Sequence, residues 1–239
     1  MKSSCDNDSA SRVESRRSLY QMAARIVSPL LASLPGEYLP AFRRATEERI
    51  AAQLAIAERP EANVNLGNVY LEAGDAREAE AEFRTALRLE PRAVAARVNL
   101  ADLYARTGRA QDAQQLLRDG LAAHANEAVL HHALGLMLVR DNQQDAALAE
   151  LAMASSLQPD ESRYVYVYAV ALNSQERPAD AIALLQDATI SFPTDFDIHW
   201  ALATMLRDQG RIEEAREVAT SLSGIYPQVE SVQNLLQSL

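Results

Sequence analysis

Apolar and small residues return along this chain at a fixed interval of 34 positions. Val64, Val98, His132, Tyr166 and Trp200 form one such ladder, and the segments around them resemble one another throughout. Other columns keep the same register. Gly67, Ala101, Gly135, Ala169 and Ala203 are small, Leu66, Leu100, Leu134, Tyr168 and Leu202 are large, and Tyr70, Tyr104, Leu138, Leu172 and Leu206 make a third series. Their offsets of three and four positions put them on one side of a helix, so each interval is predicted to hold a first helix with these columns in the core. A second helix is predicted from Ala79, Ala113, Ala147, Ala181 and Ala215, followed seven residues later by Ala86, Gly120, Ala154, Ala188 and Leu222. Small side chains there let two helices approach closely. Pro91, Pro159, Pro193 and Pro227 close four of the five intervals and Ala125 stands in the remaining place; proline removes a backbone donor and disfavours helix in the residue before it. A repeat of this length implies a stack of two-helix units with one long surface, which suits binding better than chemistry.

The pattern resembles the tetratricopeptide repeat. The family's signature is carried best by Asn65-Leu66-Gly67, Tyr70, Ala79, Phe83, Ala86 and Pro91, and the match covers residues 60–229. The resemblance implies an all-α, right-handed α-solenoid of five helix-turn-helix repeats at 60–93, 94–127, 128–161, 162–195 and 196–229. Where the family usually has Trp, this chain has Asn63, Arg97, His131, Val165 and His199. That departure implies thinner packing between repeats, with the rings of His131 and His199 filling the space. A narrower resemblance links Asn65 to Asp75, Val98 to Gly108, His131 to Arg140 and Arg163 to Asn173 to the carboxy-terminal repeats of some bacterial multihaem c-type cytochromes. The haem ligands of that family lie upstream of its repeats and have no counterpart here, so electron transfer does not carry over. A partner-docking module, or a truncated part of a cytochrome-like assembly, is what that resemblance leaves.

The flanks read differently. Residues 1–15 are rich in Ser, Asp and Asn with almost no large apolar side chains, the composition of a disordered arm. Residues 16–59 are predicted to form a helical cap for the exposed end of the stack. Its first helix carries Leu19, Met22, Ala23, Ile26 and Val27, a connection is marked by Pro29, Pro35 and Pro40, and its second helix carries Phe42, Ala45, Ile50, Leu54 and Ala57. At the other end, residues 230–239 place Val232, Leu235, Leu236 and Leu239 opposite Gln233, Asn234 and Gln237, as a short solvating helix would.

Composition agrees with one all-α domain, since Ala, Leu, Glu, Arg and Gln dominate and no alternating strand pattern appears. The formal charge of -10 is uneven: up to Arg49 there are eight basic and six acidic residues, leaving 15 basic against 27 acidic beyond it. That balance argues against nucleic acid, whose binders cluster Lys and Arg against phosphate. It fits a basic or moderately polar protein partner, or simply acidic side chains that keep the outer helices soluble. Cys5 is the single cysteine, so no internal disulfide can form and no Cys-x-x-Cys pair exists for zinc or haem attachment. No apolar run approaches the ~20 residues of a membrane span. Arg16-Arg17 precedes an apolar stretch from Ile26 to Leu34, but Arg25 and Pro29 interrupt a twin-arginine export reading. A cytoplasmic location is expected, with the periplasm as the alternative.

Enzyme motifs are missing: there is no Gly-x-Gly-x-x-Gly, phosphate-binding loop, Gly-x-Ser-x-Gly or His-Glu-x-x-His. His124, Glu127, His131 and His132 are the nearest approach to a metal cluster, and packing explains their rings better. No cofactor and no catalytic residue is expected. The family resemblance implies that the first helices line a concave groove. Its expected partner-binding residues are Val64, Asn68, Val98, Asp102, His132, Leu136, Arg140, Tyr166, Asn173, Trp200 and Arg207, with Glu61, Leu71, Arg106, Val170 and Thr204 beside them. Tyr166 and Trp200 would be its anchors, because such rings bury much area while keeping a polar handle; the competing reading packs them on the next repeat or the tail. Proteins of the family that clamp carboxylate termini use two asparagines with basic residues; Asn68 and Asn99 match the former, whereas Val64, Val129 and Ala133 occupy the basic places. The expected function is a non-catalytic scaffold for a peptide or helix of a partner protein, with self-association as the alternative.

Overall fold

A computed structural model describes residues 36–38, 40, 41, 44, 45, 48, 52 and 59–239. The arm over residues 1–15, the first cap helix and most of the second lie outside the described residues. Gly36–Tyr38 is a 3-10 helix, and the described positions from 40 to 52 are helical and exposed. Among the described residues there is no strand.

Two compact units are distinguished, residues 1–109 and 110–239. In the first, α1 (Pro60–Glu72), α2 (Ala76–Leu89) and α3 (Val94–Arg106) pack one on the next. The second stacks α4 (Ala110–Ala123), α5 (Ala128–Arg140), α6 (Gln144–Leu157), α7 (Ser162–Ser174), α8 (Pro178–Ser191), α9 (Phe196–Asp208), α10 (Ile212–Ile225) and α11 (Glu230–Ser238). First helices begin at 60, 94, 128, 162 and 196, so the interval read from the sequence is also the interval of the backbone.

The columns bury as expected, because each places an apolar or small side chain on the helix side that faces the next helix. Leu66, Leu100, Leu134 and Leu202 are buried, and so are Ala79, Ala113, Ala147, Ala181 and Ala215. Tyr168 departs from its column. It is half-buried with its ring on the core, as suits a side chain with a polar end. Small residues are required where helices meet: a Cβ on Gly67 would lie 2.4 Å from Cε1 of Phe83, and one on Gly135 would lie 2.7 Å from Cδ2 of Leu151.

Each repeat turns back on itself through one left-handed residue. Gly74, Gly108 and Gly210 have φ of 78°, 81° and 72°, and Asn142 and Glu176 hold the same place at 58° and 57°. Around Gly74, the amide of Asp75 donates to the carbonyl of Tyr70 (2.9 Å) and that of Gly74 to Leu71 (3.0 Å), the Schellman pattern that satisfies orphan helix carbonyls. Equivalent bonds run from Gln143 to Leu138, from Arg177 to Leu172 and from Arg211 to Leu206.

Polar staples reinforce the packing in each unit. Glu80 accepts from Arg84, Arg109 and the Tyr104 hydroxyl, while the Arg109 guanidinium lies 3.8 Å from the centre of the Tyr104 ring. Burial alone would raise the Glu80 carboxyl, but bonds from Arg109 and Tyr104 and the charge of Arg84 outweigh it and hold it below the usual range. In the second unit, buried Gln114 takes the corresponding place and donates to Asp141 at 3.0 Å. Helix α11 begins 34 residues after α9 and so keeps the register of a first helix. It buries Val232 and Leu235 and leaves Asn234 and Gln237 in solvent. Arg216 donates to the carbonyl of the terminal Leu239.

Candidate functional site

Residues at matching places on successive first helices form rows, and the rows decide what each unit presents. In the first unit, Val64, Asn68 and Leu71 of α1 and Val98 and Asp102 of α3 are half-buried, while Glu61 and Arg106 are exposed. The two asparagines that match the carboxylate-clamping pattern bond to each other, Asn99 Nδ2 donating to Asn68 Oδ1 at 2.8 Å. Arg106 lies 3.7 Å from Asp102 one turn away. This face is largely polar.

In the second unit the same places on α5, α7 and α9 form four rows of three. Val129, Arg163 and Asp197 stand in the first row, His132, Tyr166 and Trp200 in the second, Leu136, Val170 and Thr204 in the third, and Val139, Asn173 and Arg207 in the fourth. Within each helix the members are three, four and three positions apart, which is the spacing of one face. Aliphatic surface is open here: Val129, Val139 and Val170 are 37%, 45% and 41% exposed, and Leu136 is half-buried. Arg140 and Asn173 are exposed at its edge.

The ladder residues are less available than their neighbours. His132 is 8% exposed, with its ring 4.7 Å from that of Tyr164 and neither ring nitrogen hydrogen-bonded. Burial, helped by the charge of Arg163, pushes this imidazole down to about 4. Tyr166 is half-buried against the core. Trp200 is half-buried too, stacked on Phe196 with centroids 5.8 Å apart and packed with Ala203, Ala219 and Leu235. Trp200 thus has a neighbour in the C-terminal helix. Val129, Val139 and Arg163 were outside the expected set. Their signal was present in the interval itself, since each lies 34 residues from another member of its row.

The other histidines are engaged. His131 Nδ1 donates to Glu150 at 2.6 Å and its Nε2 lies 2.9 Å from the Ala125 carbonyl, while His199 Nδ1 is 2.9 Å from the Asp195 carbonyl. Both rings are buried, His131 bridging two helices and His199 bonding within its own helix cap. Among the described residues, no group of three His, Cys, Asp or Glu side chains could hold a metal ion, and no helix is long and apolar enough to cross a membrane.

Comparison with known proteins places these features in a wider set. One tetratricopeptide repeat family model matches residues 70–137 and 172–239, and a second matches residues 132–196. Among solved structures, PilF of Pseudomonas aeruginosa is similar at 21% identity over 74% of this chain and 80% of that one, with a TM-score of 0.60. YrrB, described as a tetratricopeptide repeat protein with an unusual peptide-binding site, is 20% identical over 76% of this chain and 93% of its own, with a TM-score of 0.57. MamA of Desulfovibrio magneticus RS-1 is 20% identical over 72% of this chain and 97% of its own, with a TM-score of 0.58. At these identities the similarity is one of fold. No curated protein sequence matches the chain, and nothing in these matches supports the narrower resemblance to multihaem cytochromes.

Proposed function

The chain belongs to the tetratricopeptide repeat family, and on that premise we propose that it is a non-catalytic scaffold holding an extended or helical segment of a partner protein on the first-helix face of α5, α7 and α9. Proteins of this family are in general scaffolds for protein interaction, and the fold is a typical non-catalytic repeat. One observation carries the finer reading. Val139 and Val170 lie open, with exposed Val129 and half-buried Leu136 on the same faces, although most other aliphatic side chains of α5 and α7 build the core. Core packing does not require aliphatic residues there, whereas a partner's apolar side chains would gain from them about 25 cal/mol per Å² removed from water. That YrrB is described by a peptide-binding site supports the same reading.

The test is affinity capture with the wild-type chain and with Val139→Asp and Val170→Asp. Both positions are exposed, so stability should change by no more than about 0.5 kcal/mol, while a specific partner should be lost. Capture that survives both substitutions at wild-type affinity sinks the reading. If the variants instead change the concentration dependence of the protein's own mass, the face serves self-association.

A further inference from the structure

The turn between α4 and α5 is held differently from its counterparts. Four intervals close on proline, at Pro91, Pro159, Pro193 and Pro227, and this one has Ala125. Proline fixes φ and narrows the unfolded chain, so the turn at Ala125 lacks a constraint that the others carry. His131 reaches it instead. Its Nε2 lies 2.9 Å from the Ala125 carbonyl and its Nδ1 lies 2.6 Å from Oε2 of Glu150 on α6, with the ring only 8% exposed. One side chain of α5 thus ties the turn to α6, all within residues 110–239.

Both of its partners are acceptors, since neither a carbonyl nor an ionised carboxylate has a hydrogen to give. The matching places show the same direction for the bond to the turn. Arg97 donates to the Pro91 carbonyl at 2.8 Å and Gln233 to the Pro227 carbonyl at 3.4 Å, each from six residues further along the chain, as His131 is from Ala125. Those donors are a guanidinium and an amide, which keep their hydrogens as pH changes. A neutral imidazole has a single N–H, enough for one of its two contacts. Ring, carboxylate and carbonyl together therefore need one hydrogen more than neutral His131 and ionised Glu150 hold between them.

We propose that this extra proton works a clasp: while it is held, His131 fastens the Ala125 turn to α6, and when it leaves to solvent as pH rises the turn is released. Without it, one ring nitrogen would turn a lone pair toward an acceptor, and a buried contact of that kind is repulsive. The other charged groups of the packed elements are Asp112, Arg118 and Asp119 on α4, His124 and Glu127 in the turn, and Asp145 on α6. None of them bonds to the ring. Its neighbour His132 is turned against Tyr164 of α7 and acts with the opposite sign, because that enclosed ring disfavours its own protonation.

Amide exchange of the full chain from mildly acidic to mildly alkaline pH, corrected for the base-catalysed rise of an unstructured peptide, tests the clasp. Nuclear magnetic resonance follows the ring nitrogens of His131 over the same range. The reporters are the amide of His124, bonded to Gly120, and the amides of Leu130 and His131, bonded to Glu127. Their protection should fall about tenfold or more as His131 loses its second N–H, while the Arg97 amide beside the Pro91 turn stays level. Glu150→Gln should keep the clasp shut throughout, because the Gln amide gives Nδ1 the hydrogen that the proton supplied. His131→Arg should do the same, as Arg97 does at its own turn. Circular dichroism checks that both variants fold, and if His131→Arg does not, Glu150→Gln at its partly exposed position decides. Protection indifferent to the titration of His131, a ring with a single N–H across the whole range, or a Glu150→Gln chain that keeps the wild-type pH dependence overturns the proposal.

Discussion

Replacing Gly67 by alanine sets two effects of known sign against each other. Alanine is the better helix former by about 1 kcal/mol in a helix interior, so an isolated α1 would gain. The tertiary structure opposes this, since the new Cβ would lie 2.4, 2.7 and 2.8 Å from Cε1, Cδ1 and Cζ of Phe83. Phe83 is 0% exposed and has no open side to move into. Overpacking of this kind costs about 1–3 kcal/mol, and contacts this short against a buried ring put it near the upper end, so the net expectation is a loss of about 1–2 kcal/mol. The fourth repeat indicates the remedy. There Ala169 and Leu185 keep the same 16-residue offset as Gly67 and Phe83, and both are buried in one core cluster. Phe83→Leu alone should cost about 1–2 kcal/mol through lost ring packing. Combined with Gly67→Ala it should cost less than the sum, with a favourable coupling of about 1–2 kcal/mol. Urea unfolding followed by circular dichroism measures the totals, and hydrogen exchange on α1 and α2 amides localises them, because repeat arrays need not unfold as one unit. If Gly67→Ala is as stable as the wild type, close approach at this glycine is not what the position demands.

Three further outcomes follow from the same structure. His132 is held neutral, with its folded value lowered to about 4 from the usual 6.5; the unfolded chain therefore takes up the proton first, so stability is full above about pH 6.5 and falls by about 3 kcal/mol as pH drops toward 4. Denaturant titrations across that window should show this loss, and His132→Leu should remove its share; an unchanged slope in the variant would contradict the assignment. Glu176→Gly places glycine at a left-handed turn residue with φ of 57° and should stabilise by about 0.5–1 kcal/mol, read as a higher melting temperature, whereas Asn142→Gly should do less because Asn tolerates this conformation. Trp200→Ala should loosen α11 by about 2 kcal/mol, seen as faster amide exchange in Val232 and Leu235, since the ring packs with Leu235 and stacks on Phe196.

Most of the fold was legible because the interval repeats. A helix face, a close approach and a turn each leave a mark at a fixed offset, and five copies separate those marks from chance. Burial of Leu66, Ala79 and Tyr70 with their counterparts, Tyr168 excepted, follows from that periodicity alone. The turns were only half legible. Three glycines marked left-handed positions, but Asn142 and Glu176 adopt the same backbone without the residue that advertises it, because the Schellman bonds around them impose the conformation. The candidate face was legible as positions at one interval, and the packing of its side chains was not. Asn68 and Asn99, which match two places of the carboxylate-clamping pattern, bond to each other. Spacing cannot report such pairing, which depends on where a neighbouring helix places its side chains.

The ladder of Val64, Val98, His132, Tyr166 and Trp200 divides what the sequence determined from what the tertiary structure decided. A constant interval of 34 residues, with small and apolar columns around it, determined the all-α repeat and which side of each helix turns inward. Those follow from local spacing and from the need to bury one stripe per helix. Exposure on the outward side depends on what packs beside each residue. Tertiary structure therefore decided that His132 is enclosed by Tyr164 and that Trp200 leans on the C-terminal helix, while Val139, Val170 and Arg163 remain exposed.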